Sequence, residues 1–145
     1  MGKVLYTAEA HVTGGRMAGH GRTSDGALEV DLRIPPEMGG EGDGTNPEQL
    51  LAVGYAACFE GALAAVARRQ KLEVGHVEID SKVMLVTGED RSFTIAVELA
   101  VTLPSVEDDQ ALELVEAAHK VCPYSNATRG NIDVTLSANG APVSV

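Results

Sequence analysis

Aromatic residues are scarce in this chain: they make up 3% of its 145 residues, and tryptophan is absent. Proteins that bind single-stranded nucleic acid stack bases on aromatic side chains, and this chain offers few such platforms. Basic residues are also few, because 11 Lys and Arg stand against 21 Asp and Glu, which gives a formal net charge of −10. Such a chain repels phosphate backbones and anionic lipid headgroups. The composition therefore argues against nucleic-acid and membrane-surface partners.

No segment of the sequence indicates export or membrane insertion. Residues 1–6 contain no apolar signal core, and no small-residue cleavage site follows them. The only long apolar stretch, residues 50–67, is mostly alanine and carries Glu60 in its middle. On insertion scales a central carboxylate opposes membrane spanning by about 2.5–3.5 kcal/mol, and alanine offsets little of this. We therefore expect a soluble, cytoplasmic protein with no membrane partner.

Hydrophobic periodicity predicts one α+β domain over residues 1–145, a length typical of single domains. Alternating apolar and polar residues predict strands, and apolar residues at helical spacing predict helices. The expected strands are 4–12, 20–24, 28–34, 76–87, 93–103 and 132–136, and the expected helices are 47–71, 107–121 and 123–129. The strands at 76–87 and 93–103 should pair as an antiparallel hairpin. Residues 137–145 are small and polar, which predicts a mobile tail.

The long helix has a well-marked start. Thr45 and Glu48 fit a capping box, and Asn46 before Pro47 fits an N-cap with proline in the first turn. The helix that follows is apolar nearly all round and rich in alanine and glycine, so it should be buried on most sides. A chain of 145 residues cannot easily cover such a helix alone. A homodimer is the economical explanation.

The two cysteines, Cys58 and Cys122, lie 64 residues apart and form no CxxC motif. This excludes a thioredoxin-type motif and most zinc sites. Cys58 falls in the middle of the long helix, where no free backbone N–H lowers its pKa and burial raises it. Taken by itself, this position predicts an unreactive core thiol. Cys122 precedes Pro123. It either caps the next short helix as an accessible thiolate or packs inward, and its spacing does not decide between the two.

Other polar residues have simple structural interpretations. Glu48 fits a capping carboxylate, and Arg16 fits a solvated loop residue unless it turns inward to a carboxylate or thiolate. Glu60 is a further candidate for an inward-facing carboxylate. His119 and Cys122 have an i, i+3 spacing that could hold a metal, but two ligands alone indicate no metal site. The remaining histidines fit ordinary strand or loop residues: His11, His20 and His76.

Three sequence blocks closely resemble the organic hydroperoxide resistance proteins, which belong with the osmotically inducible protein C superfamily. They are TNPEQL at 45–50, GYAACF at 54–59 and CPYSNATRGNI at 122–132. The segments KVLY at 3–6 and TGGR at 13–16 are also similar to that family. The resemblance covers essentially residues 1–136. It departs from the family only at Val53, where a small residue is usual, and in the tail.

This resemblance implies an OsmC-like α+β fold, with antiparallel sheets packed around a long buried central helix, in an intertwined homodimer. It implies a cytoplasmic, thiol-dependent peroxidase that acts on organic and fatty-acid hydroperoxides. Cys58 matches the family's peroxidatic cysteine and Cys122 its resolving cysteine, while Arg16 and Glu48 match its arginine and glutamate. No cofactor or metal is implied. The reductant is an external dithiol, dihydrolipoamide or a lipoylated protein.

The spacing of Glu48 and Cys58 bears on how such a site is assembled. The difference 58 − 48 is 10 residues, which corresponds to about 15 Å along a straight helix. If both residues serve one site, the expected source of Arg16 and Glu48 is the other subunit. Formation of a disulfide should displace Arg16, so we expect its loop or the loop at 39–44 to move.

Two alternatives stay open. The first is a non-catalytic thiol redox sensor or binding module on the same fold, although the net charge of −10 speaks against a transcriptional sensor. The second is the sister branch of the superfamily, with a different peroxide preference. The run YSNATR at 124–129 favours the organic hydroperoxide branch.

Overall fold

Two β-sheets and a long helix form the framework of this α+β fold. The computed structural model describes residues 2–145, which divide into two compact units, one ending at Leu50 and the other spanning Leu51–Val145. The elements in chain order are β1 (Ala10–Thr13), β2 (Gly19–Thr23), β3 (Glu29–Leu32), a 3-10 turn (Pro36–Met38), α1 (Pro47–Arg69), β4 (Glu78–Thr87), β5 (Phe93–Thr102), α2 (Asp108–Val121), α3 (Pro123–Thr128), β6 (Val134–Ala138) and β7 (Ala141–Val143). Each unit is described separately below.

The first unit contains an antiparallel sheet in the order β1-β2-β3. The strand expected at 4–12 is wrong over residues 4–9, because regular pairing with β2 begins only at Ala10. Residues 4–9 find no strand partner within 2–145, and the side chains of Val4, Leu5 and Tyr6 are largely exposed. After β3, the backbone of Thr45 bonds to that of Asp31 and Arg33, which anchors the chain just before α1.

The second unit contains a four-stranded sheet in the order β4-β5-β6-β7. The predicted hairpin of β4 and β5 is confirmed along its full length. The expectation of purely antiparallel sheets is wrong at one place, because β6 runs parallel to β5. The segment between these strands contains α2 and α3, and a parallel pair requires such a crossover connection.

The mobile tail expected at 137–145 is wrong for residues 137–143. Residues 137 and 138 complete β6, and β7 pairs with β6 across a turn at Asn139 and Gly140. Both turn residues have positive φ, 49° and 85°, as an Asn-Gly hairpin turn requires. The side chain of Asn139 also bonds to both backbone groups of Leu103. Val143 is buried, so this end of the chain belongs to the core.

Helix α1 forms nearly as predicted, with Asn46 as its cap. The backbone N–H of Gln49 donates to Asn46 Oδ1 over 2.8 Å. The capping box is wrong, because Thr45 bonds the Gln49 side chain and Glu48 pairs with Arg16. By length and composition alone α1 could cross a membrane. Its buried side chains instead belong to the core of the second unit: Tyr55, Phe59, Ala62, Leu63, Val66 and Ala67.

The opposite face of α1 stays open in the single chain. Val53, Ala57 and Gly61 follow one another at intervals of four residues and are all exposed, which places them on one side of the helix. A Cβ added at Gly61 would meet no atom within 4 Å. Within the single chain the helix is therefore covered on one side only, whereas the sequence predicts burial on most sides.

Candidate active site

The two cysteines, far apart in sequence, meet in the second unit. Cys58 Sγ and Cys122 Sγ are 3.6 Å apart, and both thiols are free. Cys58 is half-buried and Cys122 is fully buried. A disulfide needs a sulfur–sulfur distance of about 2.0 Å, so a small movement brings the pair to bonding distance.

Cys122 lies at the junction between two helices. It ends α2 and begins α3 with extended backbone angles (φ −61°, ψ 124°), and Pro123 then occupies the first position of α3. The alternative that leaves its sulfur accessible is wrong, because the residue is 0% exposed. The inward-packing alternative is confirmed, since Val115 and Ala118 of α2 are buried in the same core.

Burial is the main influence on Cys58 and raises the pKa of its thiol. A hydrogen bond from the backbone N–H of Tyr124 acts in the opposite direction, and the adjacent Cys122 thiol raises the pKa further. The sequence indicates that no free backbone N–H reaches Cys58 within its own helix. The structure supplies one from the first turn of α3, which a reading of α1 alone could not reveal. Within this unit Cys58 favours the protonated form, so a thiolate needs a cation.

Helix α3 is attached to α1 by buried hydroxyl groups. Tyr55 Oη lies 2.8 Å from Ser125 Oγ and 3.2 Å from Thr128 Oγ1. The hydroxyl of Thr128 donates to the carbonyl oxygen of Tyr124 over 2.9 Å. The rings of Tyr55 and Tyr124 pack edge to face, with centroids 5.6 Å apart. No pattern in the sequence singles out these residues as part of the site, although they lie within the blocks that carry the family resemblance.

Arg16 and Glu48 form a bidentate ion pair in the first unit. Arg16 Nη1 donates to Glu48 Oε2 over 2.8 Å, and Nη2 donates to Oε1 over 2.6 Å. The guanidinium holds the pKa of Glu48 below its ordinary value, and the carboxylate raises the pKa of Arg16. Glu48 lies in the first turn of α1 and Arg16 is an exposed loop residue, as the simple interpretations predict, but the two side chains also pair with each other. Arg16 has thus found a carboxylate partner while its side chain stays 43% exposed.

Two glycines form the tight turn that carries Arg16. Gly14 has φ +75°, and a Cβ there would lie 2.3 Å from the carbonyl oxygen of Ala18. A Cβ at Gly19 would lie 2.0 Å from the carbonyl oxygen of Gly15. No side chain fits such distances, so this turn between β1 and β2 depends on glycine. The four predicted site residues thus occur as two pairs: Arg16 with Glu48, and Cys58 with Cys122.

The remaining candidates do not join these pairs. Among residues 2–145, no cluster of three or more His, Cys, Asp or Glu side chains could hold a metal. His119 is buried with neither ring nitrogen hydrogen-bonded to the described chain, and burial, together with Arg129, lowers its pKa. Glu60 is exposed rather than inward-facing. His20 lies in β2, as an ordinary strand residue, and Asp31 and Glu29 flank its ring at 2.9 and 2.8 Å.

Comparison with known proteins places these pairs in context. The family model for OsmC-like proteins matches residues 40–137, a segment that contains Glu48 and both cysteines. The organic hydroperoxide resistance protein of Xanthomonas axonopodis pv. citri is 55% identical over 139 residues, which cover 93% of this chain and 95% of that protein.

Solved structures show the same similarity. An organic hydroperoxide resistance protein of Legionella pneumophila is 49% identical, with a TM-score of 0.90, and the match covers 94% of this chain and 98% of that one. The organic hydroperoxide resistance protein OhrB of Bacillus subtilis is 48% identical, with a TM-score of 0.85 and coverage of 93% and 99%. The similarity therefore extends over nearly the whole chain in both sequence and fold.

Proposed function

This chain belongs to the OsmC-like protein family, among the organic hydroperoxide resistance proteins, and on that premise we propose that it is a thiol peroxidase reducing organic hydroperoxides to alcohols. Membership supports a role in organic hydroperoxide resistance. The observation that carries the enzymatic proposal is the 3.6 Å contact between Cys58 Sγ and Cys122 Sγ. Two free thiols at this distance can form and reopen a disulfide without rearrangement of the fold.

In the first step the Cys58 thiolate attacks the outer oxygen of the hydroperoxide. The O–O bond breaks, an S–O bond forms, and the leaving alkoxide takes a proton to become the alcohol. Cys58 is thereby oxidised to a sulfenic acid. The residue lies against the apolar core of the second unit, which favours an alkyl hydroperoxide over hydrogen peroxide as the substrate.

In the second step the Cys122 sulfur attacks the sulfenic acid sulfur of Cys58. The S–S bond forms as the S–O bond breaks, and the hydroxyl group combines with the thiol proton and leaves as water. An external dithiol then attacks the disulfide, returns both cysteines to thiols and is itself oxidised to a cyclic disulfide. We assign this role to dihydrolipoamide or a lipoylated protein. The requirement for reduced thiols fits a cytoplasmic location.

Arg16 supplies the cation that the buried Cys58 thiolate needs, and Glu48 orients the guanidinium through its two hydrogen bonds. Helix α1 is uninterrupted from Pro47 to Arg69, so Glu48 and Cys58 are about 15 Å apart along its axis. The arginine and glutamate that serve one Cys58 therefore come from the other chain of a homodimer.

Two features of the single chain support the homodimer. One side of α1 is open and lined by Val53, Ala57 and Gly61. The alternating residues 4–9 form no strand pairing within the described chain, and Leu5 is 86% exposed. Small residues on a helix allow a second backbone to approach closely, and an unpaired segment with strand periodicity can add to a partner's sheet.

Steady-state turnover tests the enzymatic proposal. We expect consumption of tert-butyl hydroperoxide with dihydrolipoamide as the only reductant, faster than consumption of hydrogen peroxide under the same conditions. Cys58→Ser and Cys122→Ser should both abolish turnover. A single stoichiometric oxidation without turnover would instead indicate a redox sensor, and a preference for hydrogen peroxide would indicate the sister branch.

Mixed dimers test the origin of Arg16. Arg16→Ala and Cys58→Ser proteins should each be inactive, while random mixing should restore about a quarter of the wild-type sites, because half of the dimers are mixed and each has one complete site. No recovery in heterodimers verified by native mass spectrometry contradicts the shared site.

Arginine on the open side of α1 tests the dimer itself. Ala57→Arg should give a monomer in light scattering, because the exposed position tolerates a long side chain in the single chain but not in an interface. Gln110→Arg, on an exposed position of α2, is the matched control and should remain a dimer. A dimeric Ala57→Arg protein excludes this face as the interface.

A further inference from the structure

The six-residue helix α3 does not hold its position by itself. A helix of this length is unstable in isolation because its nucleation is not repaid by enough hydrogen bonds. Its position on α1 depends on the Tyr55 hydroxyl, which reaches both Ser125 Oγ and Thr128 Oγ1. Tyr55 and Ser125 are both 0% exposed, so water does not compete for the bond between them. Tyr55 lies three residues before Cys58 on α1, and α3 begins directly after Cys122.

Tyr124 is the residue of α3 on which these bonds converge. Thr128 Oγ1 donates to its carbonyl oxygen over 2.9 Å, and the ring of Tyr55 packs against its ring. The Tyr124 ring also lies over Gly54 of α1, where an added Cβ would come within 3.4 Å of Tyr124 Oη. With carbonyl and ring both fixed, the direction of the backbone N–H is fixed as well. That N–H lowers the pKa of the Cys58 thiol.

We propose that the hydroxyls of Tyr55, Ser125 and Thr128 form a positioning network that holds α3 on α1, so that Tyr124 stays packed on Tyr55 and Gly54 and Cys122 Sγ stays 3.6 Å from Cys58 Sγ. None of the three side chains takes part in the chemistry. They act through the backbone of α3, which presents a hydrogen-bond donor to the nucleophile and carries the second thiol at its start. The inference rests on the proposed function only in that Cys58 reacts as a thiolate.

The network predicts a specific effect on Cys58 reactivity. A backbone N–H that points at sulfur stabilises the thiolate, because hydrogen bonds to a charged group are stronger than those to the neutral form. Loss of the Tyr55 hydroxyl frees α3 to shift and weakens that bond. The only titratable side chain whose charge acts on Cys58 within the second unit is Cys122, and none of the proposed substitutions alters it.

The test measures alkylation of reduced protein by iodoacetamide across pH, with the peptide containing Cys58 quantified by mass spectrometry. We expect Tyr55→Phe to raise the midpoint of the profile by about 0.5 to 1 pH unit, which corresponds to roughly three- to tenfold slower alkylation at pH 7. Thr128→Val should shift the midpoint in the same direction by a smaller amount, and Thr128→Ser, which keeps the hydroxyl, should restore it. Thr135→Val, at an exposed position of β6, is the matched control for Thr128→Val and should leave the profile unchanged.

The sign of the shift separates positioning from general loosening. If the hydroxyls only stabilised the fold, Tyr55→Phe would expose Cys58, and alkylation would become faster with a lower midpoint. That result, or a profile identical to wild type in both Tyr55→Phe and Thr128→Val, overturns the proposal. If Tyr55→Phe does not fold, the pair Thr128→Val and Thr128→Ser decides alone. Because alkylation needs no peroxide, failure of peroxide turnover in wild type would refute the peroxidase and leave this test intact.

Discussion

Closure of the Cys58–Cys122 bond is expected to stabilise the folded chain against heat. The two residues are 64 positions apart, and a cross-link over a loop of this length removes conformational freedom chiefly from the unfolded chain. The loop-entropy relation gives about 4 kcal/mol at 25 °C for this spacing. At this chain length roughly 3 to 4 °C of melting temperature corresponds to 1 kcal/mol, so the upper bound is a rise of about 12 to 16 °C. Any strain from bringing the sulfurs together subtracts from that value.

The assay is calorimetry of the same protein in two redox states. One sample is kept in excess dithiothreitol, and the other is treated with one equivalent of tert-butyl hydroperoxide and freed of reductant. Thiol titration should find two thiols before oxidation and none after it. Cys122→Ser is the control, because it can form a sulfenic acid at Cys58 but no intramolecular bond, and its melting temperature should stay nearly constant.

One result would refute this reasoning. If the oxidised wild type contained no thiols yet melted at the same or a lower temperature, the loop entropy would be fully offset by strain. The 3.6 Å approach of the sulfurs would then not represent a geometry prepared for bonding.

Three further predictions concern the charged and titratable groups. Glu48→Gln keeps the shape of the side chain but removes the charge that orients Arg16, so kcat/KM for an alkyl hydroperoxide should fall about tenfold or more, while the Glu60→Gln control should be unchanged. Because Arg16 lowers the pKa of Glu48, the ion pair should still stabilise the fold at pH 5. This contribution should be lost only as the pH falls below 4.5 through that lowered pKa. Burial holds the pKa of His119 below 6.5, so the unfolded chain takes up the proton first and the free energy of unfolding should decline as the pH falls through 6.5. His119→Leu should abolish this decline, and urea unfolding should give it an equal free energy of unfolding or one higher by up to about 1 kcal/mol. A clear loss of stability in this variant at pH 7 would show that the His119 ring nitrogens have hydrogen-bond partners. Hydrogen bonds that the His20 ring donates to Asp31 and Glu29 raise the pKa of His20. Its NMR titration should therefore centre above 6.5 and move down in Asp31→Asn. A midpoint at or below 6.5 in wild type excludes the ion pairs.

Local signals in the sequence identify most of the elements. The start of α1 is encoded by Asn46 and Pro47, the hairpin of β4 and β5 by strict alternation, and the break before α3 by Pro123. The strand predicted over 4–9 fails because alternation shows that a segment suits a sheet without showing that a partner is available in the same chain. The missed β7 had a local signal, since Asn139-Gly140 is a typical two-residue hairpin turn, but β7 has only three residues, which is too short to show a strand period.

The candidate site is harder to derive from sequence because it depends on tertiary contacts. Glu48 occupies a position where a capping carboxylate is normal, and its spacing from Arg16 in the sequence does not indicate that the two side chains pair. The same holds for Cys58: its place in mid-helix correctly predicts a raised pKa, while the compensating N–H comes from Tyr124, 66 positions further along the chain. Similarity of whole sequence blocks identifies these residues as a set, and periodicity alone cannot.

The two cysteines differ in mechanical freedom, with consequences for the order of events in a redox cycle. The backbone of Cys58 is embedded in a helix of 23 residues and cannot shift without deforming it. Cys122 occupies a single non-helical position between α2 and α3, so rotation about a few backbone torsions displaces its sulfur while both helices stay intact. Substitutions that stiffen this junction should therefore slow bond closure and leave the initial oxidation of Cys58 unaffected. The chain separates a fixed reacting group from a movable one by the placement of one helix break.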